Sequence, residues 1–250
     1  MNFWEEIKKK VKKGEKFHFT LVDPVKQCGL EINEIIKVAQ EEGSAAVMVG
    51  GSTVRDRKSV YNTIEVIKST VSLPVILFPN SATAISRNAD YIFFMMLMNA
   101  RDIRFLVGEQ KKGAPLVDKW KIIPIPMAYI VVSTNKKPTA VERVAKVKKI
   151  KTNQIGEVVK FALAGQYFGM QCVYLEAGSG AKNSVSSELI SAVKKKIAIP
   201  LIVGGGIKDP QTAIEKLEAG ADIIVTGNIG ERDLEGFRKV ISAVRHFSIK

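Results

Sequence analysis

Leu201-Ile202-Val203-Gly204-Gly205-Gly206-Ile207 and, one helix further on, Ile223-Ile224-Val225-Thr226-Gly227-Asn228 decide the fold. Each is a short apolar run, rich in β-branched residues, that stops in glycine. Between them Asp209-Pro210 opens a helical stretch that reaches Ala219, with the aspartate as N-cap before a first-turn proline, and Gly220 follows as a left-handed stop. Strand, helix and strand with about 22 residues from Gly205 to Gly227 fit one parallel β-α-β unit. The apolar runs do not alternate with polar residues, which is how strands covered by helices on both faces read.

The same alternation extends to the rest of the chain. Apolar runs lie at Phe17–Val22, Ala45–Val49, Pro74–Phe78, Tyr91–Met96, Met127–Val132, Cys172–Leu175, Pro200–Val203 and Ile223–Thr226, eight in all. Helical patterns fall at Ile32–Glu42, Lys58–Thr70, Ala100–Lys112, Thr139–Ile150, Gln154–Phe168, Ser184–Lys196, Pro210–Ala219 and Asp233–His246, several of them followed by a glycine stop at Gly43, Gly113, Gly169 or Gly220. Pro79–Asp90, between the third and fourth strands, is too short for a full crossover helix, so a loop or a single turn is expected there. The pattern predicts a (β/α)8 TIM barrel, a single domain over residues 1–250, with a short or missing helix after strand 3 and an extra N-terminal helix.

Composition narrows the function. The formal charge of +13 favours an anionic partner. Its lysines gather at Lys8–Lys13, Lys136–Lys151 and Lys194–Lys196 with helical spacing and few aromatics interleaved, which argues against a base-stacking nucleic-acid surface and leaves a solvated face or transient contact with anionic lipid. Cys28 and Cys172 are far apart and His18 and His246 are the only imidazoles, so a bound metal should be a hard cation on oxygen ligands. Neither a bilayer-length apolar run nor a signal-peptide core is present, and a cytoplasmic location is expected.

Glycines at the two strand ends permit tight turns and aim successive N–H groups at phosphate oxygens, at the barrel position where phosphate sites recur. A third such turn, Tyr174-Leu175-Glu176-Ala177-Gly178-Ser179-Gly180, closes strand six and brings a carboxylate, Glu176, able to hydrogen-bond a substrate hydroxyl or take its proton. Asp23, before Pro24 at the mouth of strand one, and Ser52, in Gly50-Gly51-Ser52-Thr53 after strand two, share a rim and suit a magnesium ion bridging to a diphosphate; an Asp-Pro pair also serves as a plain turn initiator. Phe93-Phe94-Met95-Met96-Leu97-Met98, beside the thinly covered barrel side, offers either core packing or a groove for a long hydrocarbon.

Together Asp23-Pro24, Gly50-Gly51-Ser52, Tyr174 to Gly180, Gly204 to Asp209 and Gly227-Asn228 resemble the geranylgeranylglyceryl phosphate synthase family, the prenyltransferases of the first archaeal ether-lipid bond. The resemblance implies a reaction of sn-glycerol 1-phosphate with geranylgeranyl diphosphate, a Mg2+ cofactor and a homo-oligomer. It implies Asp23 and Ser52 as metal positions, and Tyr174, Leu175, Glu176, Ala177, Gly178, Ser179, Gly180, Gly204, Gly205, Gly227 and Asn228 as the glycerol-phosphate site. Some relatives have a lysine two residues before the first-strand aspartate; here that place is Leu21. Two rivals stand beside this reading: another phosphate-binding barrel of the isomerase or aldolase type, and a basic non-enzymatic binder of nucleic acid or membrane surface. The first normally needs a strand-end lysine or a carboxylate pair.

Overall fold

The computed structural model describes residues 2–26, 30–51, 54, 56–135 and 137–248. Eight parallel strands close into a barrel in chain order. Helix α1 (Phe3–Lys12) precedes β1 (Phe17–Val22), and α2 (Leu30–Glu42), β2 (Ala46–Val49), α3 (Arg57–Thr70) and β3 (Val75–Leu77) follow. After β3 comes only a 3-10 turn, Ala82–Ala84, before β4 (Tyr91–Leu97), the short crossover that the twelve-residue gap predicts. A second 3-10 turn, Ile103–Phe105, leads into α4 (Gly108–Lys119), β5 (Ile123–Val131), α5 (Ala140–Val144) and α6 (Ile155–Tyr167). The chain ends with β6 (Cys172–Glu176), α7 (Ser187–Lys194), β7 (Leu201–Gly204), α8 (Pro210–Glu218), β8 (Ile223–Thr226) and α9 (Leu234–Arg245).

Side chains alternate between the barrel interior and the layer beneath the helices. Phe19, Met48, Ile76, Phe93, Met127, Tyr174 and Ile202 fill the interior, while Val47, Leu77 and Ile92, or Val173, Val203 and Ile224, face the surrounding helices. The expected N-terminal helix closes the floor. Trp4, Ile7 and Val11 are buried on one face of α1. The Trp4 indole meets Phe93 edge-on at 6.0 Å, and the Phe3 amide donates to the Tyr91 hydroxyl at 3.0 Å. An indole buried in this way contributes on the order of 3–5 kcal/mol.

Three boundaries differ from the sequence pattern. Strand β5 begins four residues early, across Pro124 and Pro126. The Ile123 amide donates to Asp90 on the β4 side, so the amides that the prolines lack would face β6, which joins only from Met127 onward. Helix α4 runs to Lys119 with Gly113 inside it rather than after it. A Cβ at Gly113 would stand 2.5 Å from the Ile85 side chain, so this glycine lets α4 lie against the segment that replaces the helix after β3. The stretch expected to be helical to Ile150 stops at Val144, because Val147 bridges Ala100 and Lys151 bridges Ser133 instead. Gly43, Gly169 and Gly220 do take the positive φ expected of helix stops.

One polar cluster sits in the outer layer between β1, β8 and α9. His18 Nδ1 lies 3.0 Å from Ser44 Oγ and Nε2 lies 2.8 Å from Thr226 Oγ1, with the Phe237 ring edge-on. Burial pushes the imidazole pKa down to about 3. The folded state therefore refuses a proton that the unfolded chain accepts below its ordinary value of about 6.5, and stability is lost as pH falls through that window toward 3. Chemical denaturation followed from pH 6.5 down to 3.5 should give His18→Gln a shallower loss than the parent, by up to roughly 1.4 kcal/mol per pH unit. Equal slopes would show that His18 does not set acid sensitivity.

Candidate active site

The carboxyl ends of the strands open on a cavity of about 520 Å³. Its polar end is built by the last three loops. Strand β6 delivers Glu176, after which Gly178 and Gly180 take φ of 99° and 71°. Strand β7 ends at Gly204, and Gly205 and Gly206 follow at φ 82° and 72°. A side chain at any of the four would be strained. The loops converge: a Cβ on Gly205 would stand 2.4 Å from Glu176 Oε1 and 2.8 Å from the Gly178 amide, and Ser179 Oγ donates to Asn228 Oδ1 at 3.2 Å. Lys26 reaches across from the first loop and donates to Ser179 Oγ at 3.3 Å.

Glu176 is the buried carboxylate at the centre of this end, 7% exposed. Burial raises its pKa to about 7, against the opposing pull of the Gly178 amide and the Tyr174 and Tyr129 hydroxyls. The Gly178 amide donates to Glu176 Oε1 at 2.5 Å. Both tyrosines belong to an aromatic group with Phe78, whose ring stacks on Tyr174 at 5.5 Å and meets Tyr129 edge-on at 5.6 Å. A Cβ on Gly204 would stand 2.0 Å from the Tyr174 hydroxyl, so this glycine is the space in which the tyrosine tip reaches Glu176.

Asp23 faces the same cavity from the rim of β1. Its Oδ1 accepts from the Val25 amide at 3.0 Å, and Lys26 Nζ lies 3.6 Å from Oδ2. Gly51 leaves room for it, since a Cβ there would fall 2.3 Å from Oδ2. Ser52, expected as its partner, lies outside the described residues. Among the described residues no group of three His, Cys, Asp or Glu forms a cage. A carboxylate on the rim fits magnesium shared with a diphosphate, because that ion keeps several waters and takes one or two carboxylates beside the phosphates.

The other end of the cavity is apolar. Ile85, Ile92, Phe93, Phe94, Met95 and Phe105 line an arm that leaves the barrel mouth where no helix follows β3. Phe94 stands where a tail-lining residue is expected, but Met98 packs outward with Ala128, Ile130 and Val158 and does not face the arm.

Tyr174, Glu176, Ser179, Gly180, Gly205, Gly227 and Asn228 all line the cavity. Leu175 and Ala177 are placed differently from their neighbours in the motif. Both side chains pack outward beneath the helices, as alternation along β6 dictates, and the Ala177 amide is bonded to Gly204 O. Gly178 and Gly204 act one step back, as donor to Glu176 and as clearance for Tyr174. Lys26, Lys208 and Arg232 also line the cavity; Lys208 follows Gly206-Ile207 in a glycine motif, whereas Arg232 carries no distinguishing signal in its neighbourhood.

A parallel eight-stranded barrel whose last loops converge on a glycine cradle defines a phosphate-binding barrel. The PcrB family profile matches residues 9–245. Over the whole chain and 99% of the relative, the sequence is 43% identical to the geranylgeranylglyceryl phosphate synthase of Thermoplasma volcanium, and it is 46% identical to that of Pyrococcus horikoshii over 97% of this chain and 93% of the relative. The solved Thermoplasma acidophilum synthase, in complex with its substrate sn-glycerol-1-phosphate, is 38% identical and superposes with a TM-score of 0.93, covering 99% of this chain and 100% of that one. The chain belongs to the PcrB family, among relatives that are geranylgeranylglyceryl phosphate synthases.

Gly205 combines a positive φ with close approach to the turn after β6. Gly205→Ala should weaken binding of a small phosphate ester about tenfold or more in titration calorimetry, with the far-ultraviolet circular dichroism unchanged. Unchanged affinity would mean that the β7 turn does not shape the cradle.

Proposed function

We propose that this protein is a prenyltransferase that joins sn-glycerol 1-phosphate to geranylgeranyl diphosphate and releases diphosphate, the step that its synthase relatives are named for. The observation that carries the reading is the position of Glu176, between a glycine-lined anion cradle and the entrance to an apolar arm, in one continuous cavity.

The cradle of Ser179, Gly180, Gly205, Gly227 and Asn228 holds the phosphate of the acceptor. A free hydroxyl of the glycerol then faces Glu176, and the arm fixes the allylic carbon nearby, so that proximity replaces a bimolecular encounter. The allylic carbon–oxygen bond to diphosphate breaks, the hydroxyl oxygen forms the new ether bond to that carbon, and its proton passes to Glu176. Lys26 and Arg232, on the same cavity wall, offset the charge that grows on the departing diphosphate. Asp23 would hold magnesium at the rim, and the ion supplies neutralisation of the diphosphate when bound. The same reading makes the chain a homo-oligomer, on the family resemblance, and places it in the cytoplasm, in keeping with the lack of a bilayer-length apolar run in its sequence. No described helix is long and apolar enough to cross a membrane.

Incubation with sn-glycerol 1-phosphate, magnesium and radiolabelled prenyl diphosphates of several lengths tests the reaction; absence of any ether product would refute it. Glu176 takes up the proton only in its ionised form, and its pKa is raised to about 7. Turnover should therefore climb tenfold per pH unit below that value and level off above it. Glu176→Gln should flatten the profile and lower kcat about 100-fold or more; full turnover in that variant would assign the proton elsewhere. In the arm, Phe94→Trp should shorten the longest chain accepted, whereas Met98→Phe, outside the arm, should leave product length unchanged. Mass analysis of the products separates the two, and an unshifted Phe94→Trp would move the tail to another surface.

A further inference from the structure

The apolar arm opens beside two neighbouring segments, residues 101–112 and 140–149, which the antiparallel bridge between Ala100 and Val147 ties together. Phe105 of the first and Val144 of the second line the arm. Ile103, Val107 and Val144 on these segments are 70%, 53% and 50% exposed, three of the seven large apolar side chains so exposed among the described residues. Monomeric surfaces seldom gather apolar groups at the mouth of an apolar cavity without a partner.

Charge around them has one sign. Arg101, Arg104 and Lys111 stand exposed on the first segment, and Arg143, Lys146 and Lys149 on the second. The acidic residues of the same segments are less exposed: Glu142 is buried, Glu109 is half-buried, and Asp102, half-buried, caps the 3-10 turn and stands 3.9 Å from the Arg104 guanidinium. The Arg104 guanidinium lies over the Phe105 ring at 4.4 Å, so cation and arm wall meet directly at the opening.

We propose that this basic and apolar rim docks on the surface of an anionic lipid bilayer, so that a prenyl tail passes from the bilayer into the arm without crossing water. The proposal rests on the prenyl-transfer reading, since it gives the tail's entrance its purpose. A long apolar tail is unstable in water and partitions into a bilayer, which makes the membrane surface the place where such a substrate is met. Apolar side chains ringed by cations fit the boundary between headgroups and acyl chains, and each added cation near an anionic surface changes partition by about fivefold. A second copy of the chain is a poorer occupant, because a two-fold contact would set this cationic rim against its own image.

Co-sedimentation of the full chain with phosphatidylglycerol vesicles, and separately with phosphatidylcholine vesicles, tests the proposal. Binding to the anionic vesicles alone, lost at high salt, is the expected result. Arg101→Glu combined with Lys111→Glu should reduce that binding about 25-fold or more, and Ile103→Ser combined with Val107→Ser should reduce it as well, while turnover of a short, water-soluble prenyl diphosphate stays at the parent's level. No binding to anionic vesicles, or equal binding by parent and variants, would overturn the proposal. So would variants that change the oligomeric state in sedimentation velocity, because the face would then belong to a second copy. If the parent chain fails to turn over the water-soluble substrate, the prenyl-transfer reading fails on its own, whatever the vesicles show.

Discussion

A carboxylate placed in a low-dielectric pocket either pairs or takes up a proton, and the top of this barrel is organised around holding Glu176 between those outcomes. Desolvating an isolated carboxylate costs several kcal/mol, and hydrogen bonds to a charged group return roughly 1.5–3 kcal/mol each. Three donors, the Gly178 amide and the Tyr129 and Tyr174 hydroxyls, oppose the burial and do not cancel it, so the pKa settles at about 7 rather than at the ordinary carboxylate value. A group poised there is a competent proton acceptor near neutral pH and still releases what it accepts. Fewer donors would leave it permanently protonated; a nearby cation would make it too weak a base.

That arrangement explains the glycines better than phosphate binding alone does. Gly204 gives Tyr174 its clearance, and Gly205 gives Glu176 and the Gly178 amide theirs. The run Gly204-Gly205-Gly206 is thus a steric requirement of the carboxylate's own donors as well as a cradle for an anion. Glycine's absent side chain is used on two faces at once: inward, to admit the tyrosine and the carboxylate, and toward the cavity, to let a ligand meet the backbone.

Most of the architecture is legible in the chain because each β-α-β unit carries its own local signals. Asp209-Pro210 caps α8 as its sequence announces, with the aspartate side chain accepting from the Thr212 amide, and the glycine stops at Gly43, Gly169 and Gly220 need no tertiary information. What escapes the sequence depends on neighbours distant along the chain. Gly113 reads as a helix stop, yet its role is set by Ile85. Leu175 and Ala177 sit inside a glycine-rich motif, yet strand alternation turns them away from the cavity. Met98 shares the outward face of Phe94, four residues on, yet packs with the cluster that holds Ala128, Ile130 and Val158 while Phe94 borders the cavity; alternation gives the two the same side, and only the neighbours along the barrel's circumference tell them apart. Lys26, Lys208 and Arg232 are three cations in a lysine-rich chain, and only the closure of the barrel distinguishes them from the rest.

The omitted helix after β3 links the two ends of the cavity. A full helix would have covered the outer face of Phe94, which stands half-buried, and completed the barrel's coat. In its place a 3-10 turn and the close approach of α4 through Gly113 leave that face to line the arm. Uncovering apolar surface loses about 25 cal/mol for each Å² exposed to water, a loss that a bound hydrocarbon reverses. On the proposed reading, stability forgone in the empty protein reappears as affinity for the tail, and because the gap adjoins the mouth of the barrel, that affinity would be exerted within reach of Glu176. The same gap that weakens the coat would then fix the reacting end of an apolar substrate against the anion cradle.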